Sequence, residues 1–205
     1  MPKKLFKVFY LTLFMIDRFD KRKKDVLSKL DKSHKNEWDE KIKKLCDKIN
    51  SLEDYYTTSS CSGRAVLMVE QDRKDKNLFV SVYHDRISLK QLKKDLNLAL
   101  KKNQNIKFKL EPCILHVACR TLENAQEIYN KAKLAGWKKS GIIGMKNGTS
   151  VELNGTDRLE FPVIRGNRIL VDDEFLKIIT DESGKKLEKN WIKIKKLEGL
   201  INRKI

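Results

Sequence analysis

The stretch Ala65–His84, AVLMVEQDRKDKNLFVSVYH, sets two apolar, valine-rich runs on either side of a charged segment. Runs of this length and composition, bounded by turn-forming residues, predict a β-hairpin. A second stretch, Lys139–Leu153, KSGIIGMKNGTSVEL, carries Asn147-Gly148 between apolar runs. That dipeptide favours a two-residue hairpin turn, because both central positions of the turn need positive φ. Adjacent antiparallel strands of this kind argue for an α+β fold and against a doubly wound parallel sheet, whose strands need helical crossovers.

Working outward from the hairpins, residues 16–30 and 36–54 read as helices. The second carries Trp38, Ile42, Leu45, Ile49 and Leu52 at spacings of four and three, one apolar stripe for a core. Ser88 caps a helix with Leu89, Leu92, Leu96 and Leu100 along one face. The extended run IKFKLEPCILHVAC, residues 106–119, is interrupted by Pro112, which lacks an N–H for a ladder and implies an edge, a bulge or a break between two strands. Thr121 and Gly136 bracket another helix, FPVIRGNRILV (161–171) reads as a short strand pair, and residues 173–199 form a basic helical region with a break expected near Ser183-Gly184. The expected architecture is one domain with a mixed, hairpin-rich sheet flanked by helices, compatible with two similar halves.

Forty-five Lys and Arg against 28 Asp and Glu give a net charge of +17. This excess favours an anionic partner, since neutralising phosphates releases their counterions, although lysine can also simply solvate every face. Four cysteines (Cys46, Cys61, Cys113, Cys119) and three histidines (His34, His84, His116) show no CxxC and no paired spacing. The pattern argues against a structural zinc site and for free thiols in a reducing, cytoplasmic compartment. The N-terminal MPKKLFKVFYLTLFMI is interrupted by Lys7, lacks a small-residue cleavage site and is too short to span a bilayer. Residues 1–14 read as an extension and Met15 as the start of the body.

Between the second helix and the first hairpin lies Tyr55–Arg64, YYTTSSCSGR. Cys61 as a nucleophile needs a cation or base nearby, and only two residues separate it from Arg64, too few for a phosphate-encircling loop. The alternative is an anion cradle: Gly63 allows close backbone approach, Ser60 and Ser62 supply rotatable donors, and Arg64 supplies a planar fork. A plain polar turn into a strand uses the same residue types, and local chemistry leaves these two readings even. No GxGxxG or GxxxxGK[ST] is present. His84 ends a predicted strand and His116 lies within one.

YYTTSSCSGR, the strand ending in His84, LEPCILHVACRTLENAQEIYNKAKLAGWKKSGI and LEFPV together resemble the third-step, wyosine-pathway methyltransferase family of tRNA wybutosine-synthesizing proteins. The resemblance runs from Ile16 to about Arg203, with Trp137 where Phe is usual. It implies S-adenosylmethionine-dependent N-methylation of a tricyclic guanosine derivative next to the anticodon of phenylalanine tRNA, on a fold unlike the Rossmann-type methyltransferases. It carries over as motif positions Ser59, Ser60, Cys61, Ser62, Gly63, Arg64, His84, Pro112, His116, Ser140 and Gly141. On this reading the Ser59–Gly63 loop with Ser140 and Gly141 binds cofactor. Arg64 grips a carboxylate of the cofactor or of the base, and His84 or His116 is the base or polar orienter. Lys90, Lys93, Lys94, Lys101 and Lys102, with the N-terminal basic helix, are the expected tRNA-backbone contacts. Two other functions fit the residues less well: a non-catalytic RNA-binding module, which needs no Ser/Cys/Gly constellation, and a thiol hydrolase using Cys61.

Overall fold

The computed structural model describes residues 18–29, 39–71, 78–145 and 148–201. The extension 1–14, Met15, Trp38, the turn at 72–77 and Asn147 lie outside the described residues. Helix α1 covers 18–27. The remaining helices are α2 (Glu40–Asn50), α3 (Leu89–Leu100), α4 (Leu122–Leu134) and α5 (Asp173–Leu200). The strands are β1 (Tyr55–Cys61), β2 (Arg64–Val69), β3 (Phe79–Tyr83), β4 (Ile106–Glu111), β5 (Ile114–Cys119), β6 (Gly141–Met145), β7 (Gly148–Asn154), β8 (Leu159–Arg165) and β9 (Arg168–Ile169).

The strands form two sheets, ordered β1-β5-β7-β6 and β3-β2-β4-β8-β9. Every pair is antiparallel, so the expected single mixed sheet resolves into two sheets with no parallel pair among the described residues. The hairpins β2–β3 and β6–β7 and the β8–β9 pair lie where the sequence puts them. Pro112 marks a break: β4 belongs to the five-stranded sheet and β5 to the four-stranded one.

Two differences from the sequence reading matter. First, Tyr55–Cys61 is a strand and not a loop, with only Ser62-Gly63 connecting it to β2. Its hydroxyl-rich composition hides the apolar alternation, but Tyr and Thr are good strand formers, and the two tyrosines are buried on opposite faces, Tyr55 in the core and Tyr56 against Phe19 of α1. Second, α5 runs unbroken through Ser183-Gly184 for 28 residues. Both residues are fully interior, and Gly184 is the point where the Arg86 side chain crosses the helix.

Each sheet buries one face under helices. Ile42, Leu45 and Ile49 of α2, Ile128 and Ala132 of α4 and Trp137 pack on Leu115, Val117, Val151 and Leu153 of the four-stranded sheet. Leu92 and Leu96 of α3 pack on Leu67, Phe108 and Leu110 of the five-stranded sheet. A fully buried Leu or Ile contributes about 1.5–3 kcal/mol relative to exposure, so these stripes fix which face is inward. Helix α5 joins the two cores: Leu176, Ile179 and Leu187 enter one, Ile194 and Leu197 the other, and Trp191 touches both. Caps set the helix starts. Asp39, Ser88, Thr121 and Asp172 each accept a backbone N–H of the first turn.

Candidate functional site

The chain passes between the sheets at three points: Ser62-Gly63, Pro112-Cys113 and the segment 155–158. Gly155 N–H donates to the Cys113 carbonyl at 2.9 Å, tying two of these crossings together. Asn190 of α5, fully buried, wedges behind them. A Cβ on Gly63 would lie 2.9 Å from its Nδ2, and one on Gly155 would lie 3.1 Å from its Oδ1. Gly63 also has φ +100°, a conformation closed to other residues. In front of the crossings opens a cavity of about 450 Å³, within the range of small-ligand sites, whose polar lining includes Ser60, Arg64, Lys109, Glu111, Asn154 and Arg158. Cys61 lines it as well.

The second face of the four-stranded sheet is covered by α1 at Tyr56 and carries half-buried polar side chains toward the β1–β5 end that lines the cavity. Because side chains alternate, Leu115 and Val117 point into the core while His116 points out. A register shift between Thr57 and Ser59 brings Ser59 opposite His116, which in turn faces Glu152. Ser59 Oγ lies 2.9 Å from His116 Nδ1, and His116 Nε2 lies 3.1 Å from Glu152 Oε2. A carboxylate only accepts, so Nε2 donates to Glu152, and in the tautomer with its hydrogen on Nε2 the Nδ1 atom accepts the Ser59 hydroxyl. The three residues form one hydrogen-bonded line across the outward face.

On the five-stranded side, Arg64 Nε donates to Glu111 Oε2 at 2.7 Å, and Lys109 pairs with the other oxygen at 3.1 Å. Burial alone would raise the Glu111 carboxyl, but Arg64 and then Lys109 outweigh it and hold it below the usual carboxylate range. The Arg64 guanidinium sits 4.9 Å from the Phe79 ring centre. Arg158, exposed at the cavity's edge, has no ionic partner among the described residues.

Behind the same loop, Asp39 caps α2 and its Oδ2 accepts the Ser62 N–H at 2.7 Å. Asp39, Cys61 and His84 place one ligand-type atom each within 4.8 Å of the others. The Asp39 carboxylate and then the Cys61 thiol raise the His84 imidazole to about 9, against a smaller opposing effect of burial. His84 is therefore an imidazolium at neutral pH and not the neutral base that a proton-accepting role requires. The remaining thiols are inert: burial pushes Cys46 up to about 11 and Cys113 and Cys119 up to about 12.

Of the motif positions, Ser60, Cys61, Arg64 and Pro112 line the cavity, Ser59 and His116 meet on the outward face of the four-stranded sheet, Ser62 and Gly63 form the crossing, and His84 lies with Asp39 and Cys61. Ser140 stands apart from the cavity lining. Its hydroxyl donates to the Trp137 carbonyl at 2.7 Å and accepts Asn154 N–H at 3.3 Å, pinning the start of β6 to β7. Gly141 faces Glu152 across the edge strand. Lys90, Lys93, Lys94, Lys101 and Lys102 belong to α3 and its end, on the face of the five-stranded sheet opposite Arg64, and Lys93 is paired with Asp173. Sequence reasoning missed Asp39, Glu111, Glu152, Asn154, Arg158 and Asn190. For Glu111 and Glu152 the signal was present, since each is the outward residue of a predicted strand beside a motif position.

The family profile described as Methyltransferase TYW3 matches residues 21–203. The tRNA(Phe) 7-((3-amino-3-carboxypropyl)-4-demethylwyosine(37)-N(4))-methyltransferase 1 of Pyrococcus horikoshii is 34% identical over 192 residues, covering 91% of this chain and 96% of that protein. The human tRNA wybutosine-synthesizing protein 3 homolog is 32% identical over 190 residues, covering 89% of this chain and 72% of that protein. The solved structure of the PH1069 protein from Pyrococcus horikoshii superposes with a TM-score of 0.82 at 33% identity, covering 92% of this chain and 96% of that one. With the non-Rossmann fold and the profile spanning nearly the whole described chain, this protein belongs to the Methyltransferase TYW3 family and is a methyltransferase.

Proposed function

We propose that this chain methylates a ring nitrogen of a tricyclic, wyosine-type guanosine derivative beside the anticodon of phenylalanine tRNA, with S-adenosylmethionine as methyl donor, and that the reaction takes place at the cavity in front of Ser62-Gly63. The Ser59–His116–Glu152 line is the observation that carries this reading. A ring N–H must lose its proton as it gains the methyl group, and the line offers an acceptor, on the strand that also carries the cavity residue Ile114, with a path for the charge.

The lining fits the proposed donor. Its carboxylate suits Arg64 or Arg158, and its ammonium suits Asn154 Oδ1, a buried acceptor with no hydrogen-bond partner among the described residues. When bound, the sulfonium supplies an electrophilic methyl group and leaves as a thioether. The protein's own work is positioning and proton removal. The Ser59 hydroxyl oxygen takes the proton from the ring nitrogen as its own hydrogen passes to His116 Nδ1, and Glu152 stabilises the imidazolium that forms. Arg64, braced by Glu111 and Phe79, holds an anionic group in one orientation.

The test is incubation of the purified chain with S-adenosylmethionine and phenylalanine tRNA from cells lacking this protein, read by mass of the modified nucleoside. A single added methyl on the tricyclic base is the expected product, and Arg64→Ala should suppress it while the protein stays folded. Unmethylated tRNA under these conditions, or full activity in the variant, refutes the reading.

A further inference from the structure

Cys61 faces two ways: it lines the cavity, and it completes the trio with Asp39 and His84. The trio comes from three separate elements, the cap of α2, the end of β1 and the residue after β3. Its internal spacing is informative. Asp39 Oδ2 and His84 Nδ1 are 3.6 Å apart, too far for a hydrogen bond. That distance is close to the edge of a tetrahedron about a metal with bonds of about 2.0–2.1 Å, which is about 3.3–3.4 Å.

Two further observations point the same way. His84 Nδ1 is shielded from solvent and has no hydrogen-bond partner among the described residues. The hydroxyl of Ser62, a fully buried residue whose amide holds the Asp39 carboxylate, is also without a hydrogen-bond partner. Asp39 is oriented from behind as metal-binding carboxylates are: Oδ2 accepts Ser62 N–H at 2.7 Å and Oδ1 accepts Lys41 N–H at 3.3 Å.

We propose that Asp39, Cys61 and His84 form a three-ligand site for a borderline-soft divalent cation, zinc by preference, with its fourth position open toward the cavity. Thiolate and imidazole donors exclude magnesium and calcium, which take oxygen ligands, whereas one sulfur, one nitrogen and one oxygen suit zinc. Three protein ligands leave one position for water or for an oxygen of whatever occupies the cavity. The cation would add positive charge to a pocket already edged by Arg64, Lys109 and Arg158 and would anchor a carboxylate there. Binding requires the Cys61 thiol and the His84 imidazolium each to lose a proton to solvent and involves no redox change.

The experiment uses the full chain, purified under reducing conditions, stripped with chelator and titrated with Zn²⁺, and with Co²⁺ as a spectroscopic probe, without tRNA or methyl donor. One cation per chain is expected, with a sulfur-to-cobalt charge-transfer band that disappears in Cys61→Ser. Zn²⁺ affinity should fall more than tenfold in His84→Gln. Lack of a charge-transfer band overturns the site, and so does a band that survives Cys61→Ser, since its thiolate would come from Cys46, Cys113 or Cys119. Should Cys61→Ser fail to fold, His84→Gln carries the test, because unchanged Zn²⁺ affinity in that variant equally overturns it. These readouts do not depend on methyl transfer, so failure here is distinct from failure of the proposed reaction.

Discussion

Gly63→Ala probes the geometry behind the cavity. Two costs add. The first is backbone strain: φ of +100° at a residue bearing a Cβ costs on the order of 1–2 kcal/mol. The second is overpacking. The new methyl would stand 2.9 Å from Asn190 Nδ2, 3.3 Å from the Glu111 carbonyl oxygen and 3.4 Å from Cys113 N, contacts that must open by several tenths of an ångström in an interior region. Insertions of this kind cost about 1–3 kcal/mol. The expected total is about 2–5 kcal/mol, measured by urea denaturation, or a fall in Tm of roughly 4–20 °C for a domain of this size. The double variant Gly63→Ala/Asn190→Ala separates the terms. Removing Asn190 takes away the closest contact and two buried polar atoms that lack partners, so about 1–2 kcal/mol of the loss should return while the strain remains. A loss below 1 kcal/mol in the single variant, or no recovery in the double one, refutes the wedge.

His116→Ala should lower kcat for methyl transfer about a hundredfold or more, and Glu152→Gln about tenfold with little change in KM. Equal loss in substrate binding would point to a structural role instead. For Glu111 the folded carboxyl lies below its ordinary value of 4.5, so its stabilising effect is complete above about pH 4.5 and is lost as the pH falls through the lowered value. Glu111→Gln should therefore be less stable than wild type at pH 7, the difference closing on acidification; a gap that persists in acid would contradict the Arg64 and Lys109 pairing. Arg120, nearly buried, bonds Asp20 at 2.6 Å and Asp54 at 2.7 Å and stacks 4.7 Å over Phe19. Arg120→Ala should accelerate amide exchange in residues 18–27 by tenfold or more, with unchanged exchange in α1 as the refuting result. Charge reversal at Lys90, Lys94, Lys101 and Lys102 should weaken tRNA binding far less than reversal at Arg64, Lys109 and Arg158, as read from affinity at fixed salt, because α3 lies on the face turned away from the cavity.

Local chemistry made the hairpins, the Pro112 break and most of the helices legible, since turn residues and apolar period act within a few positions. It failed at β1 because Thr57–Ser60 supply no apolar alternation, and the strand exists by pairing with β5, which lies more than fifty residues away. It failed at Ser183-Gly184 because a helix break was inferred from propensity, whereas both residues are buried, Gly184 beneath the Arg86 side chain, and packing overrides propensity. Ser60, Cys61, Arg64 and Pro112 of the motif positions line one cavity and Ser140 does not, while the partners of the motif residues came from elsewhere: Glu152 from β7, Asp39 from the cap of α2, Asn190 from α5. No fixed sequence spacing links 39, 61 and 84, so a search for paired ligands passes over them. Histidine identity was legible and protonation was not. The two neighbours that raise the His84 imidazole, Asp39 and Cys61, are supplied only by the fold.

The interleaving of the two sheets bears on how the chain is made. β1 has no strand partner until β5 emerges from the ribosome, and β4 waits for β8 to complete its second edge. The 28-residue α5, which seals both cores, comes last of all. Four of the seven pairings among the described residues, β1–β5, β2–β4, β4–β8 and β5–β7, are long in sequence, so the nascent chain carries unpaired strand edges through much of its synthesis, a condition that favours slow closure and exposure to aggregation. Neither sheet is a contiguous piece of the polypeptide, and no single cut would release an intact half. Local hairpins can pair early, but neither core closes until α5 arrives.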